Sequence, residues 1–255
     1  MSAPDAEPEA IADAHARLDL RELAARDGID AAPAFFDVLE KSDSASMRAE
    51  AATLLSVVGH PDAFEEIYHE IVRVIDARGP ELRRLLAASA YVVQFSSGEA
   101  VPRWALALGA EASDLAREEN DAREPALALL VALQERTGES YSSVGLLALR
   151  SGIRGPGTRS AFLLLSDDDI IARREELIEV CRDLLGTSSR MEALRFAARA
   201  RRFVDLSPIR SSVEKIAASE AYNPQDRKLA ALTLAAFEGV HPAEMYARFG
   251  LLEEK

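Results

Sequence analysis

The sequence predicts an all-α protein in which about six to seven antiparallel helix pairs stack into an α-solenoid, that is, a superhelix. Three observations predict this fold class. The 255 residues are 48% hydrophobic but only 6% aromatic, so the core must consist mainly of Ala, Leu, Val and Ile, which suits close helix packing. One helix-start pattern recurs at a regular spacing along the chain. Segments of alternating apolar and polar residues between hairpin turns are missing, so strands are not expected.

The recurring pattern is an arginine followed three residues later by a small or apolar residue, near the start of an apolar helix. It occurs at Arg48, Arg84, Arg123, Arg159, Arg190 and Arg227. Successive arginines are 36, 39, 36, 31 and 37 residues apart. A period of roughly 20–50 residues is typical of solenoids, in which each unit buries its apolar surface against its neighbours.

The apolar periodicity and the turn residues place the helices in chain order. They are predicted at 18–26, 31–41, 44–58, 62–77, 80–96, 100–115, 121–136, 141–151, 157–165, 168–185, 189–203, 208–219, 224–238 and 242–250. The first helix of a pair starts after a capping or proline signal. A capping side chain accepts hydrogen bonds from the free backbone N–H groups of the first turn, and proline has no N–H group that needs a partner there. These signals are Ser42-Asp43, Gly79-Pro80, Asn120-Asp121, Gly155-Pro156, Ser188-Ser189 and Asn223-Pro224.

A second helix follows each break within a pair, and the segment 62–77 shows its pattern. Phe64, Ile67 and Ile71 share one side of this helix, whereas Glu65 and His69 lie on the other side. This periodicity indicates an amphipathic helix with one buried face. His60-Pro61 and His241-Pro242 occupy equivalent breaks in distant pairs, which predicts a shared role in the turn.

The domain organisation follows from the same pattern. Residues 11–250 are interpreted as a single solenoid domain, residues 1–10 as a disordered acidic tail, and residues 251–255 as a second tail. Three glycines favour a bend or subdomain border near 151–157. The longest apolar runs are about nine residues, well below the roughly 20 that span a bilayer, so no membrane segment is expected. The acidic start and the single Cys181 predict a cytoplasmic protein.

Net charge is distributed unevenly. The whole chain carries −13, residues 1–130 account for all of it, and residues 131–255 are neutral. An acidic half repels nucleic acid and anionic membranes and favours a basic partner. Binding to nucleic acid or to a membrane is therefore not expected.

Three stretches connect the repeat to a known family. They are Asn223-Pro224-Gln225-Asp226-Arg227 with Ala230, Asp121-Ala122-Arg123 with Ala126 and Leu130, and Ser42-Asp43 with Arg48, Ala51 and Leu55. Over about residues 18–250 the chain resembles the HEAT-repeat family and its HEAT-like relatives of the PBS-lyase type. The resemblance implies that second helices line a concave surface, that Asp and Arg bond between adjacent repeats, and that the protein binds other proteins. Only some units keep the acidic residue, so the ladder of bonds is expected to be incomplete.

The first functional hypothesis is a non-enzymatic scaffold or adaptor that presents a concave, mostly acidic face to another protein, for example a basic one. Its candidate residues are Glu65, Glu66, His69, Trp104, Glu175, Glu176 and Glu179. Trp104 is the only tryptophan and the candidate aromatic anchor, because tryptophan often dominates interface energetics. No cofactor is predicted.

The alternative hypothesis is an enzyme of the HEAT-like class, either an alkylpurine DNA glycosylase type or a bilin-lyase-like protein. The glycosylase version depends on the basic cluster around Arg195, Arg199, Arg201 and Arg202, which is also a candidate surface for an anionic protein partner.

Other motifs favour structural roles. Glu66-x-x-His69 and His69-Glu70 resemble parts of iron sites, but the chain has only four His and no second E-x-x-H motif, so no metal is predicted. Ser166 is expected to cap the helix that begins with Asp167-Asp168-Asp169 rather than form a cation loop. The glycine-rich segment 151–160 matches no phosphate-binding pattern, and Cys181 is predicted to be a buried thiol.

Overall fold

A computed structural model describes residues 6–95 and 103–252, and this part of the chain is helical without strands. The predicted all-α class is therefore confirmed for the described residues. They fall into two compact units, residues 1–139 and residues 140–255. None of the helices in this part is long and apolar enough to cross a membrane.

The first unit contains seven α-helices within its described residues. They are Ala6–Asp27 (α1), Ala32–Lys41 (α2), Ala45–Val57 (α3), Ala63–Val74 (α4), Pro80–Phe95 (α5), Arg103–Arg117 (α6) and Arg123–Thr137 (α7). Helix α3 packs against α1 and α5, and α5 packs against α7. Helix α4 packs against α3, α5 and α6. Helices α3 and α4 thus contact neighbours both next to them and two places away in the chain.

The second unit continues with helices α8 to α15. They are Ser142–Arg150 (α8), Pro156–Leu163 (α9), Asp167–Ala172 (α10), Arg174–Leu185 (α11), Arg190–Ala200 (α12), Ser207–Ala218 (α13), Pro224–Glu238 (α14) and Pro242–Arg248 (α15). Helix α12 packs against α9, α11 and α14, and α13 packs against α11 and α14. The core contains small side chains, and Ala193, Ala197 and Ala230 are fully buried.

The sequence signals explain how the helices begin and end. At α14, the Asn223 side chain accepts a hydrogen bond from the Asp226 N–H at 2.8 Å, and Pro224 occupies the first turn. Gly239 ends the helix with a φ of 69°, a conformation that glycine adopts without steric cost. His60 and His241 share the predicted turn role, because each Nδ1 accepts an N–H bond at 3.2 Å from the residue two positions on.

Helix α4 has the predicted amphipathic pattern. Phe64, Ile67 and Ile71 are buried, whereas Glu65 and His69 are exposed. The buried face packs between α3 and α5. Burial of large apolar side chains at this spacing is the main force that holds such a helix on its neighbours.

Several local details differ from the prediction. Helix α1 begins at Ala6 and not at residue 18, because the alanine-rich segment contains no helix breaker after Pro8, which lies in the first turn. The predicted helix 168–185 is interrupted at Arg173, whose φ of −118° and ψ of 26° are not helical. Ser189 precedes α12, but its hydroxyl does not cap this helix and bonds to the segment before α9 instead.

The predicted tails and the predicted bend concern the ends of the chain and the segment 151–157. Residues 1–5 and 253–255 of the two predicted tails lie outside the described residues. Segment 151–157 lies inside the second unit, and the bend expected there stays a prediction. Its Gly152 and Gly155 have φ values of 76° and 70°.

Candidate functional site

The residues predicted to form an acidic binding face belong to different units. Glu65, Glu66 and His69 lie on α4 of the first unit. Glu175, Glu176 and Glu179 lie on α11 of the second unit. Trp104 belongs to α6, but its side chain lies outside the described residues. Each acidic group is therefore described within its own unit.

The acidic group on α11 shares its surface with arginines. A surface pocket of about 760 Å³ is lined by Arg173 and Arg174 together with the three glutamates. Glu176 accepts hydrogen bonds from Arg150, one of them at 2.8 Å, and lies 3.8 Å from Arg173. The bond from Arg150 lowers the pKa of Glu176. Neighbouring cations thus offset much of the negative charge on this surface.

The two residues of the His69-Glu70 motif on α4 differ in exposure. His69 is exposed, whereas Glu70 is only 1% exposed and accepts hydrogen bonds from Arg48, at 3.1 Å, and from Arg73. The His69-Glu70 pair therefore does not converge on one point. Among the described residues, no three His, Cys, Asp or Glu side chains group as a metal site requires.

The predicted basic cluster surrounds an open groove in the second unit. This arginine groove has a volume of about 660 Å³ and lies where the end of α12 meets the end of α14. Its walls carry both charge and apolar surface: they include Arg199, Arg201, Arg202, Phe203 and Leu232. Phe203 and Leu232 are exposed large hydrophobic residues.

Two of the groove arginines are held by helix ends. Arg199 Nη2 donates to the Leu165 carbonyl at 2.9 Å and to Asp167 Oδ1 at 2.9 Å. Arg201 donates to the Ala236 carbonyl near the end of α14. Because the last carbonyls of a helix have no partner within it, these bonds satisfy backbone groups and fix the guanidinium groups in place.

Arg202 is different, because it has no hydrogen bond or ion pair in the described part of the chain. Its guanidinium is exposed at the groove and available to a ligand. Arginine stays protonated at every physiological pH and presents several N–H donors, so it suits carboxylate or phosphate recognition and not proton transfer. The acidic side chain in the groove wall, Asp167, is already bonded to Arg199.

A smaller pocket adjoins the groove between α9 and α12. This α9–α12 pocket has a volume of about 190 Å³ and is lined by Arg159, Phe162, Leu163, Glu192, Arg195, Phe196 and Arg199. The Phe162 and Phe196 rings stack with centroids 4.2 Å apart. Arg195 Nη1 donates to Glu192 Oε1 at 2.8 Å. Arg199 lines both cavities, so the two cavities are adjacent.

The remaining sequence motifs have structural roles. Ser166 and Asp169 form a capping box, in which the Ser166 hydroxyl accepts from the Asp169 N–H at 3.1 Å and Asp169 Oδ2 accepts from the Ser166 N–H at 3.2 Å. The predicted cap at Ser166 is thus confirmed. Cys181 is fully buried, which confirms the predicted buried thiol, and burial raises its pKa to about 12.

Sequence reasoning identified the groove arginines but missed its apolar walls. Arg195, Arg199, Arg201 and Arg202 all line one cavity or the other. Phe203, Leu163 and Leu232 fit the helical apolar pattern, so the sequence alone does not distinguish them from core residues. Their exposure becomes visible only when the helix ends are packed together.

Comparisons with known proteins add no relative. No protein-family model matches the chain, and neither a curated protein nor a solved structure matches it. The resemblance to HEAT repeats therefore stays a prediction.

Proposed function

We propose that this protein is a non-catalytic binding protein whose arginine groove binds an acidic segment of another protein. One observation carries the proposal. The groove combines the unpaired cation Arg202 with exposed apolar side chains, Phe203 and Leu232, in a concave surface of about 660 Å³. Exposed apolar surface beside arginine is typical of protein interfaces, in which arginine and aromatic residues are enriched.

The charges favour an acidic protein over nucleic acid. The chain carries a net charge of −13, so its overall field repels any anionic ligand, and it repels a dense polyanion such as DNA more strongly than a short acidic segment. The groove offers a local cationic surface that a short row of carboxylates can match. The apolar walls add a contribution that phosphate backbones do not use. The acidic surfaces of α4 and α11 remain second candidates for a basic partner, within the same function class.

The fold supports this function class. Within each unit, helices pack against neighbours one and two places away in the chain, as expected if helix pairs stack in a row. We therefore also propose a HEAT-like superhelical arrangement and a cytoplasmic location, the latter because the single thiol suits a reducing compartment. Repeat proteins of this kind use extended surfaces to bind proteins.

Peptide display on the immobilised protein tests the proposal. Selected peptides are expected to be enriched in Asp and Glu, and Arg202→Glu should weaken a selected peptide about tenfold, because the substitution replaces an attractive charge with a repulsive one. Fluorescence anisotropy with the labelled peptide measures the change. Raising the salt concentration should also weaken binding, since exposed charges are screened.

Arg182→Glu is the matched control, because Arg182 is an exposed, unpaired arginine on α11 that does not line the groove. It makes the same charge change in the same unit. Peptides without acidic enrichment, or equal weakening by the two variants, would refute the groove as the binding site. Tight, salt-sensitive binding of a DNA duplex that Arg202→Glu abolishes would favour the glycosylase-type alternative instead.

A further inference from the structure

The six arginines of the sequence repeat do not share one role. Five of them bond within their own unit. Arg48 donates to Glu70, Arg84 to Glu50, Arg123 to the Ala116 carbonyl, Arg190 to Asp226 and Arg227 to the Ala217 carbonyl. Arg159 is exposed and has no hydrogen bond or ion pair among the residues that the structure describes. It lines the α9–α12 pocket. The repeated arginine stabilises the fold at the other five positions of the repeat, whereas Arg159 is available to bind a ligand at this pocket.

The pocket can hold one large apolar side chain. The stacked rings of Phe162 and Phe196 line it, and Leu163 lies at its edge with 42% of its surface exposed. A cavity of about 150 Å³ accepts a benzene ring. The α9–α12 pocket, at about 190 Å³, therefore has room for a phenyl ring or a branched aliphatic side chain.

The charges around the pocket determine which ligand residues can flank the apolar side chain that it holds. Arg159, Arg195 and Arg199 line it, and Glu192 is the carboxylate among its lining residues. Glu192 is paired with Arg195, and Arg199 is held by Asp167 and backbone carbonyls, so Arg159 keeps its bonding capacity for a ligand. The aliphatic stems of arginine cover apolar groups while the charged heads bind carboxylates.

The pocket and the arginine groove are adjacent, because Arg199 lines both. We infer that the α9–α12 pocket is the anchor subsite of the groove: it binds one large apolar side chain of an acidic peptide segment, and Arg159 binds a carboxylate beside that side chain. This inference rests on the proposed function and specifies its ligand class.

A pair of synthetic peptides tests the anchor subsite. Both are short, built from Asp, Glu and Ser, and differ only in a central Phe or Ala. In fluorescence anisotropy with the full chain, the Phe peptide should bind about tenfold more tightly, because part of a phenyl side chain becomes buried. Leu163→Gln should remove this preference and leave the affinity for the Ala peptide within about twofold.

Matched variants separate the contributions. Leu147→Gln makes the same change at a leucine that is 40% exposed on α8 and lines neither cavity, so it should keep the preference for Phe. Arg159→Gln should weaken both peptides about threefold, as expected for loss of one exposed ion pair.

The outcomes distinguish the two proposals. If both peptides bind equally and Leu163→Gln changes nothing, while Arg202→Glu still weakens both, the anchor subsite is refuted and the groove stands. If neither peptide binds the wild-type protein, the proposed function fails and the anchor subsite fails with it. A DNA duplex can be tested as a competitor of each labelled peptide. If the duplex displaces both labelled peptides at a lower concentration than the unlabelled peptides do, the surface binds nucleic acid. This result would refute both proposals.

Discussion

The two units of the molecule differ in net charge and in how their arginines are paired. Residues 1–139 contain 27 Asp and Glu against 13 Lys and Arg, a net charge of −14, whereas residues 140–255 contain 16 against 17, a net charge of +1. The acidic unit buries glutamates between arginines, and the neutral unit leaves arginines around an open groove. Arginine therefore stabilises helix packing where a carboxylate or a backbone carbonyl accepts its hydrogen bonds. It is available to a ligand where neither does, as at Arg159 and Arg202.

In the first unit, Glu50 is the centre of a ladder between neighbouring helices. Glu50 lies on α3, is 3% exposed and accepts hydrogen bonds from Arg21 on α1, at 2.6 and 3.0 Å. It also accepts from Arg84 on α5 at 2.8 Å. One carboxylate thus connects three helices that pack side by side. The bond to Glu50 raises the pKa of Arg21.

In the second unit, close backbone contact is more prominent. Gly145 on α8 is buried, and a Cβ atom there would lie 2.6 Å from the Ala161 carbonyl oxygen on α9. Neutral hydroxyl bonds add to this packing, because Ser189 accepts from the Gly155 N–H at 2.8 Å. Two ion pairs of the Asp–Arg type also connect helices of this unit, Arg190 with Asp226 and Arg199 with Asp167, each at 2.9 Å.

Removing the ladder carboxylate should have the largest effect on stability. Glu50→Ala leaves Arg21 and Arg84 without their partner and opens space between the helices. Loss of one partner of a buried ion pair costs about 3–5 kcal/mol, and because both arginines are partly exposed we expect about 3 kcal/mol, at the lower end. Urea unfolding followed by circular dichroism measures the loss.

Glu65→Ala is the control for this experiment, since Glu65 is an exposed, unpaired glutamate on α4 of the same unit. We expect a change within about 0.5 kcal/mol. Equal effects of the two substitutions would show that the ladder does not stabilise the first unit, and the contrast between the units would lose its basis.

A methyl group at Gly145 should have the next largest effect. Gly145→Ala forces α8 and α9 apart, because the new Cβ would also lie 2.9 Å from the Leu164 Cβ. Overpacking costs about 1–3 kcal/mol, and we expect about 2 kcal/mol in the free energy of unfolding despite the better helix propensity of alanine. Native-state labelling of Cys181, which is buried in the same unit, should become roughly 30-fold faster.

Gly186→Ala provides the comparison, because a Cβ at Gly186 would meet only the Asp183 carbonyl oxygen at an ordinary 3.6 Å. This substitution should leave the labelling rate of Cys181 within about twofold. A Gly145→Ala protein as stable as wild type would mean that close approach of α8 and α9 is not required.

The sequence predicted the helices well because their signals are local. Capping residues, proline and glycine act within one turn of the chain, and most predicted helices match the structure within a few residues, as at 224–238. The break at Arg173 was missed, since neither proline nor glycine marks it. The start of α1 was also missed, because a polar helix with little periodicity resembles a solvated tail.

The candidate site was only partly predictable for a physical reason. Charge clusters are visible in a sequence, so the groove arginines were found, but whether an arginine is paired depends on helices far away in the chain. Arg48 and Arg159 have equivalent places in the repeat, yet one is bonded to Glu70 and the other is exposed. Whether an arginine has a structural role or is available to a ligand therefore depends on pairing between residues that are far apart in the sequence.

The smallest effect is expected at the cap of α10 in the second unit. Ser166→Ala removes the hydroxyl that accepts from the Asp169 N–H, and loss of an N-cap costs about 1 kcal/mol. Urea unfolding at neutral pH measures this loss. Ser188→Ala, at an exposed serine without a cap bond in the same unit, should change stability by less than about 0.5 kcal/mol.

The pH dependence of this loss identifies its source. Hydrogen bonds from Ser166, with smaller contributions from Ser142 and Arg173, lower the pKa of Asp169 below its ordinary value of 3.8. A carboxylate whose pKa is lowered by folding stabilises the folded state above the unfolded pKa, and this stabilisation is lost as the pH falls through the folded value. The difference between wild type and Ser166→Ala should therefore be complete at pH 7 and decrease below pH 3.8. It should not vanish, because the bond from the Asp169 N–H to the hydroxyl does not titrate. A difference that is constant down to pH 3 would assign the whole effect to that neutral bond, and charge would then matter less in the second unit than the comparison implies.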